Sequence, residues 1–349
     1  MSELRRFSPL LLLLLLLPPF YLDVFWLQAG LFVMAAAIGA IGLNLLTGST
    51  GQLSMGHSFF LAVGAYGYVY FSGESDGHVA GLGLPTPLAA VLAVALAGLA
   101  GLAFSPISGR LSGVYLGIAS LGLIFVGQHV LFNFEKVTGG YNGRAVEPMN
   151  LFGLPFDGST ELVVMGVPFG ALERLWFLGL VLLGLAAWFA YGVLRGRPGR
   201  AMNLIRDQQI AAGVLGVPVA RMRGAVFTLS SMYAGLAGVL LALAFQRAVP
   251  DYFGVLLAFE YLAMIVIGGL GSVTGAIVGA AFVTLLPQLL TRYSDSLPLV
   301  AAAGSEGVAP SDAARYLYGG AVVLIVLFLP AGLSGLRVPF LTPRKETTP

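Results

Sequence analysis

The sequence predicts an all-α integral membrane protein: a polytopic bundle of about ten transmembrane helices with a cytoplasmic coupling helix. Three observations carry that expectation. Of 349 residues, 58% are hydrophobic and only 10% are charged, whereas a soluble domain carries about 25% charged residues. The apolar residues come in runs of about 20, the length that crosses a bilayer as a helix. The arginines crowd onto alternate connections, the pattern that orients a polytopic chain.

The elements follow in order. Arg5 and Arg6 precede a leucine run, Pro9–Leu17, which continues to Leu27. A charged start before an apolar run also begins a signal peptide. Pro18, Pro19, Phe20 and Tyr21 supply no small-residue cleavage site, so an uncleaved first span is expected. Further spans are expected near residues 29–46, 59–72, 86–104, 111–133, 174–194, 224–246, 254–270, 272–292 and 315–332.

With the N-terminus inside, the inner connections hold Arg5, Arg6, Arg110, six arginines of residues 195–223, Arg337, Arg344 and Lys345. The outer ones hold Lys136, Arg144, Arg174, Arg247, Arg292 and Arg315. That asymmetry puts both termini in the cytoplasm of a multi-pass protein. Residues 1–341 are expected to form one transmembrane domain, with an outer excursion at 135–173 and a long inner loop at 195–223. Residues 342–349 read as a disordered tail.

Composition excludes several classes. A net charge of +2 gives no basic footprint for nucleic acid. The absence of cysteine removes disulfides and thiolate metal sites. His57, His78 and His129 are too scattered for a metal cluster. No phosphate-binding loop of the G-x-x-x-x-G-K-[ST] type is present, and no nucleophile–base pairing stands out. No catalytic residue, metal or cofactor is expected, and energy for driven transport has to come from another subunit.

Two stretches stand apart from the spans. Residues 195–223 read RGRPGRAMNLIRDQQIAAGVLGVPVARMR, with Asp207 the single acid. Ala201, Leu204, Gln208, Ala211 and Leu215 recur at helical spacing and make a mostly apolar stripe. One reading is a helix lying on lipid headgroups. The other is a docking helix for a soluble partner, favoured by a loop longer than a span-to-span connection needs. The second stretch, Thr47–His57, packs Gly48, Gly51, Gln52, Ser54, Gly56 and His57 between two apolar helices. An ordinary capped turn is one reading. Irregular polar backbone beside a solute pathway is the other, because such backbone survives at membrane depth only inside protein or along a cavity. Gly271, Gly275 and Gly279 stand at four-residue spacing, a helix-packing stripe. Glu260 is the acid expected nearest the membrane interior, and a pathway candidate for that reason.

Four motifs occur in sequence order: GLNLLTGSTGQLSMGHSFFLAVGAY, GVYLGIASLGLIF followed by TGGYNG, GRAMNLIRDQQIAAGVLGV, and YLAMIVIGGLGSVTGAIVGA. Together, over residues 30–332, they resemble permease subunits of branched-chain amino-acid ABC importers, the LivM type within the LivH/LivM superfamily. The resemblance implies a bacterial inner-membrane heteromer: a LivH-like partner permease, LivG/LivF-type ATPases and an extracytoplasmic solute-binding protein. It also implies coupling to the ATPase through an Ala-Ala-x-x-x-Gly core, matched by Ala211, Ala212 and Gly216. The glutamate that precedes this core in the wider importer pattern is Ile210 here, so Arg200, Arg206 and Asp207 are the charged coupling candidates. Gly48, Gly51, Gln52, Ser54, Gly56, His57 and Glu260 are the pathway candidates. Relatives within the superfamily carry urea or short amides, so those solutes remain alternatives. A stand-alone channel or secondary carrier, and a membrane-embedded enzyme, are the competing classes.

Overall fold

A computed structural model describes residues 16–151, 153–158, 162–164, 167–293, 309–329 and 332–333. The main helices are α1 (Val24–Thr50), α2 (His57–Ser72), α3 (Thr86–Arg110), α4 (Val114–Asn133), α5 (Ala171–Arg195), α6 (Arg197–Asp207), α7 (Gln209–Val214), α8 (Val219–Phe245), α9 (Val255–Gly268), α10 (Val273–Arg292) and α11 (Pro310–Phe328). Among the described residues, α1, α3, α4, α5, α8 and α10 are long and apolar enough to cross a membrane.

The expected count of ten is not reached among the described residues. The 16 residues of α2 and 14 of α9 rise only about 24 and 21 Å at ~1.5 Å per residue, short of a hydrocarbon core of ~30 Å. α11 also falls outside the set of six. Residues 9–15 of the expected first span lie outside the described residues. Its described end is a single turn, Pro18–Tyr21, closed at Leu22. Residues 24–27 belong instead to α1, which starts after Asp23 and runs unbroken to Thr50. The tail 342–349 and residues 294–308 lie outside the described residues.

α1 is the axis of the bundle. Leu31, Ile38, Ile41 and Leu45 on it are buried, and it packs against α8, α10, α5 and α9. α8 in turn packs on α2 and α3. Small residues let backbones touch, as lipid-embedded packing requires. A Cβ on Gly64 of α2 would sit 2.2 Å from the Gly235 carbonyl oxygen of α8. Gly275 and Gly279 press on Gly268 and Met264 of α9, so packing is their role. Gly271 does not share that stripe: α10 begins at Val273, and Gly271 sits in the preceding turn with φ +80°.

Helix ends gather on two rims. On one, the α3 end meets the start of α8 at Gly109 and Ala220, beside α6. On the other lie three short ladders, one of which joins segments about a hundred positions apart. Arg144–Ala145 pair antiparallel with Arg247–Ala248, and Asn150–Leu151 pair with Leu154–Pro155. Leu162–Val164 pair with Val167–Phe169. Buried Arg144 ties this rim together, donating to the carbonyls of Ala80, Val137 and Glu74. Burial pulls the Arg144 guanidinium below its ordinary value, against the charges of Asp76 and Glu147. Nearby, Asp76 accepts the backbone N–H groups of Val79 and His78, at 2.9 and 3.0 Å. Those bonds hold its carboxyl below the usual carboxylate range.

Candidate functional site

α1 carries the glycine-rich stretch further into helix than its composition suggests. Thr47–Thr50 complete the last turn, and Gly51, at φ +69°, ends it. Only residues 51–56 are irregular before α2 begins at His57. Several of their polar groups are matched across the bundle, while Gln52 Oε1 is buried without a partner among the described residues. Met55 N donates to Ser120 Oγ at 2.9 Å, and Gln52 Nε2 donates to Thr50 Oγ1 at 3.0 Å and to the Arg223 carbonyl at 3.3 Å. Ser54 is buried, and Gly56 lies so close to α4 that a Cβ there would stand 2.6 Å from the Ser120 carbonyl oxygen.

Asn44 clasps α1 to the glycine-rich turn at 269–272 that precedes α10. Its Nδ2 donates to the carbonyls of Gly269 (3.3 Å) and Ser272 (2.7 Å), and its Oδ1 accepts from Gly271 N at 2.8 Å. A turn inside the bundle leaves these backbone groups without ladder partners, and one amide satisfies three of them. Gly48 is what lets the pieces meet, since a Cβ there would lie 2.3 Å from Gly271 N. Arg206 reaches the same point from α6, with Nη1 donating to the Gly48 carbonyl at 2.9 Å. It also bonds Asp207 Oδ1 through Nε at 3.0 Å.

His57 is buried, its ring edge-on to Tyr261 with centroids 5.0 Å apart, and its Nε2 has no partner among the described residues. Tyr261 separates it from a cleft of about 500 Å³ formed by α1, α8, α9 and α10. Glu260 lines that cleft among Phe25, Phe32, Phe245 and Leu257. The structure therefore brings Gly48, Gly51, Gln52, Ser54, Gly56 and His57 together at the break, with Glu260 one residue beyond Tyr261 on the cleft.

The basic loop differs from its expected form. The helix is broken: Gln208, at φ −150° and ψ 90°, separates α6 from α7. No glycine or proline stands at that position, so the break is set by tertiary packing. Gly199, Met202, Ile205 and Ala212 are the buried residues, whereas Gln208 and Leu215 of the expected stripe are exposed. Ile210, Val214 and Leu215 instead present an exposed apolar surface, with Ile210 86% exposed. Ala211 is half-buried, Arg200 and Asp207 are exposed, and Gly216 turns at φ +82° in open space. Arg206, expected to face a partner, is engaged with the bundle through Gly48.

Asn44 is the residue that sequence reasoning missed. An amide in the middle of an apolar helix was the available sign, because a polar group at membrane depth needs a partner.

A family model described as "Branched-chain amino acid transport system / permease component" matches residues 27–329. The high-affinity branched-chain amino acid transport system permease protein LivM of Salmonella typhimurium (strain LT2) is 30% identical, over 96% of this chain and 76% of that protein. LivM of Escherichia coli (strain K12) is likewise 30% identical over the same shares. The autoinducer 2 import system permease protein LsrC of Enterobacter sp. (strain 638) is 30% identical over 60% of this chain and 58% of that protein. No solved structure matches the chain.

Proposed function

We infer function from one premise: this chain belongs to the family of branched-chain amino acid transport permease components. It is a multi-pass membrane protein and a permease of the ABC-importer kind, a transport subunit rather than an enzyme. On that premise the solute is a branched-chain amino acid, carried inward across the bacterial cytoplasmic membrane. The observation that carries this reading is the similarity to LivM over 96% of the chain. Similarity to LsrC over 60% of the chain supports a second reading, the same machinery with a different solute.

The transport cycle needs a LivH-like second permease, LivG/LivF-type ATPases and an extracytoplasmic binding protein. Residues 1–341 act as one permease domain with both termini in the cytoplasm. The ATPase docks on α7, where Ile210, Val214 and Leu215 offer an apolar surface, with exposed Arg200 on the preceding α6. A short helix of this kind enters a partner's groove by its apolar side and is oriented by its charges. Motion of the loop reaches the membrane through Arg206, whose bond to the Gly48 carbonyl pulls on the clasp of α1 and the 269–272 turn. ATP-driven closure of the ATPases then rocks the spans between outward- and inward-open states.

Three outcomes test the reading. Leucine uptake into proteoliposomes requires the co-purified ATPases, the binding protein and ATP. Ala212→Arg and Gly216→Asp abolish uptake while the protein still inserts. A cysteine at Gln208, in a chain with none of its own, reacts only from the cytoplasmic side. Uptake by this chain alone without ATP, or labelling of residue 208 from outside intact cells, overturns the proposal.

A further inference from the structure

The cleft beside α9 has a composition that a lipid groove does not need. Its walls are largely aromatic and aliphatic, from Phe25, Phe32, Phe245 and Leu257, yet they include the Glu260 carboxylate, Gln28, Gln288 and Thr284. Among the described residues no hydrogen bond or salt bridge engages Glu260. Arg315 is close enough to act on it as a charge, but its guanidinium is bonded to Asp312 at 2.8 Å. The Thr284 hydroxyl is buried and has no partner among the described residues. A carboxylate held against apolar walls without a salt-bridge partner costs several kcal/mol, and a cationic occupant offsets that cost. A cleft of about 500 Å³ is in the range that encloses a small organic molecule.

We propose that this cleft binds a soluble aliphatic amino acid by its ammonium group, with Glu260 as the counter-charge and Phe25, Phe32 and Phe245 against its side chain. The inference rests on the permease reading above and deepens it. Both ends of such a ligand find their chemistry here: the ammonium meets the one carboxylate, and the hydrocarbon meets the aromatic wall. The polar amides and the Thr284 hydroxyl remain for its carboxylate end, which is weakly held in a solute that has to leave again.

The test uses the absence of native cysteine. Leu257→Cys puts a thiol on the cleft wall in the assembled transporter. Leucine and isoamylamine, which both carry the ammonium, slow its alkylation several-fold. Isocaproate, which has the same hydrocarbon and no ammonium, does not. Adding Glu260→Gln raises the half-protecting concentration about tenfold, equivalent to ~1.4 kcal/mol. Equal protection by isocaproate, or protection unchanged by Glu260→Gln, overturns the proposal. So does alkylation that changes with the nanodisc lipid, phosphatidylethanolamine against phosphatidylglycerol, and not with leucine. ATP-driven leucine uptake with no protection by leucine sinks the cleft and leaves the permease reading intact. Protection without ATP-driven uptake does the reverse.

Discussion

Gly48→Ala adds one methyl at the point where α1 meets the 269–272 turn. The new Cβ would stand 2.2 Å from Asn44 Oδ1 and 2.3 Å from Gly271 N, where ordinary contact begins near 3.4 Å. The neighbours here are backbone and a clamped amide rather than the free end of a flexible side chain. Relief therefore requires α1 and the turn to part by about 1 Å. A shift of that size takes the Asn44–Gly271 bond (2.8 Å), which joins α1 to the turn, out of hydrogen-bond range. Overpacking costs ~1–3 kcal/mol, and each bond lost inside a membrane bundle adds ~0.6 kcal/mol, up to ~1.7. The expected total is ~2–4 kcal/mol. At ~2–4 °C per kcal/mol this lowers Tm by at least ~4 °C. Fluorescence-detected size-exclusion melting of the purified transporter reads it, alongside uptake, which falls with it. Gly184→Ala on α5 is the control, because a methyl there meets nothing within 4 Å. It leaves Tm and uptake unchanged or slightly raised, since alanine is the better helix former. If Gly48→Ala melts within about 1 °C of the unaltered protein and transports normally, the clasp has no mechanical role.

Other outcomes follow from the same geometry. Ile210→Asp, at a side chain 86% exposed, leaves Tm within the ordinary surface range of about ±0.5 kcal/mol and abolishes co-purification of the ATPases; retained co-purification locates docking elsewhere. Trp at Gly56 drives against the Ser120 carbonyl, 2.6 Å from where its Cβ would lie, and Trp at Gly51 forces a bulky residue into φ +69°; both block uptake, and normal uptake from either variant removes the break from the pathway. Asp76 has its pKa depressed by the Val79 and His78 N–H groups. Its contribution to the order of residues 73–85 is therefore present above the unfolded carboxylate value of about 3.9 and is lost as pH falls through the lower folded value. Hydrogen exchange over residues 73–85 accelerates across that window, and Asp76→Asn removes the pH dependence.

Much of this molecule could be read without coordinates. Runs of apolar residues declare helices in lipid because transfer cost is paid residue by residue, and α3, α4, α5, α8 and α10 fall where those runs do. Alternating arginines set an expected orientation because the charge rule acts on short connections near span ends. The four ordered motifs placed the chain within its family, which the relatives bear out over residues 27–329.

The rest depends on which distant residues meet, and no local pattern encodes that. Arg206 reads as one more cation of a basic loop, but it bonds a carbonyl 158 positions away. Asn44 reads as a lone amide in an apolar helix until Gly271, 227 positions on, comes within 2.8 Å. The helix break at Gln208 carries no breaker residue, because burial of Met202, Ile205 and Ala212 and the pull of Gly48 on Arg206 decide it together. The cleft around Glu260 takes its walls from four helices. Local chemistry determined what lies in the membrane and which way its charges sort; only close packing decided which polar groups are satisfied and which, like Glu260, are left facing a space.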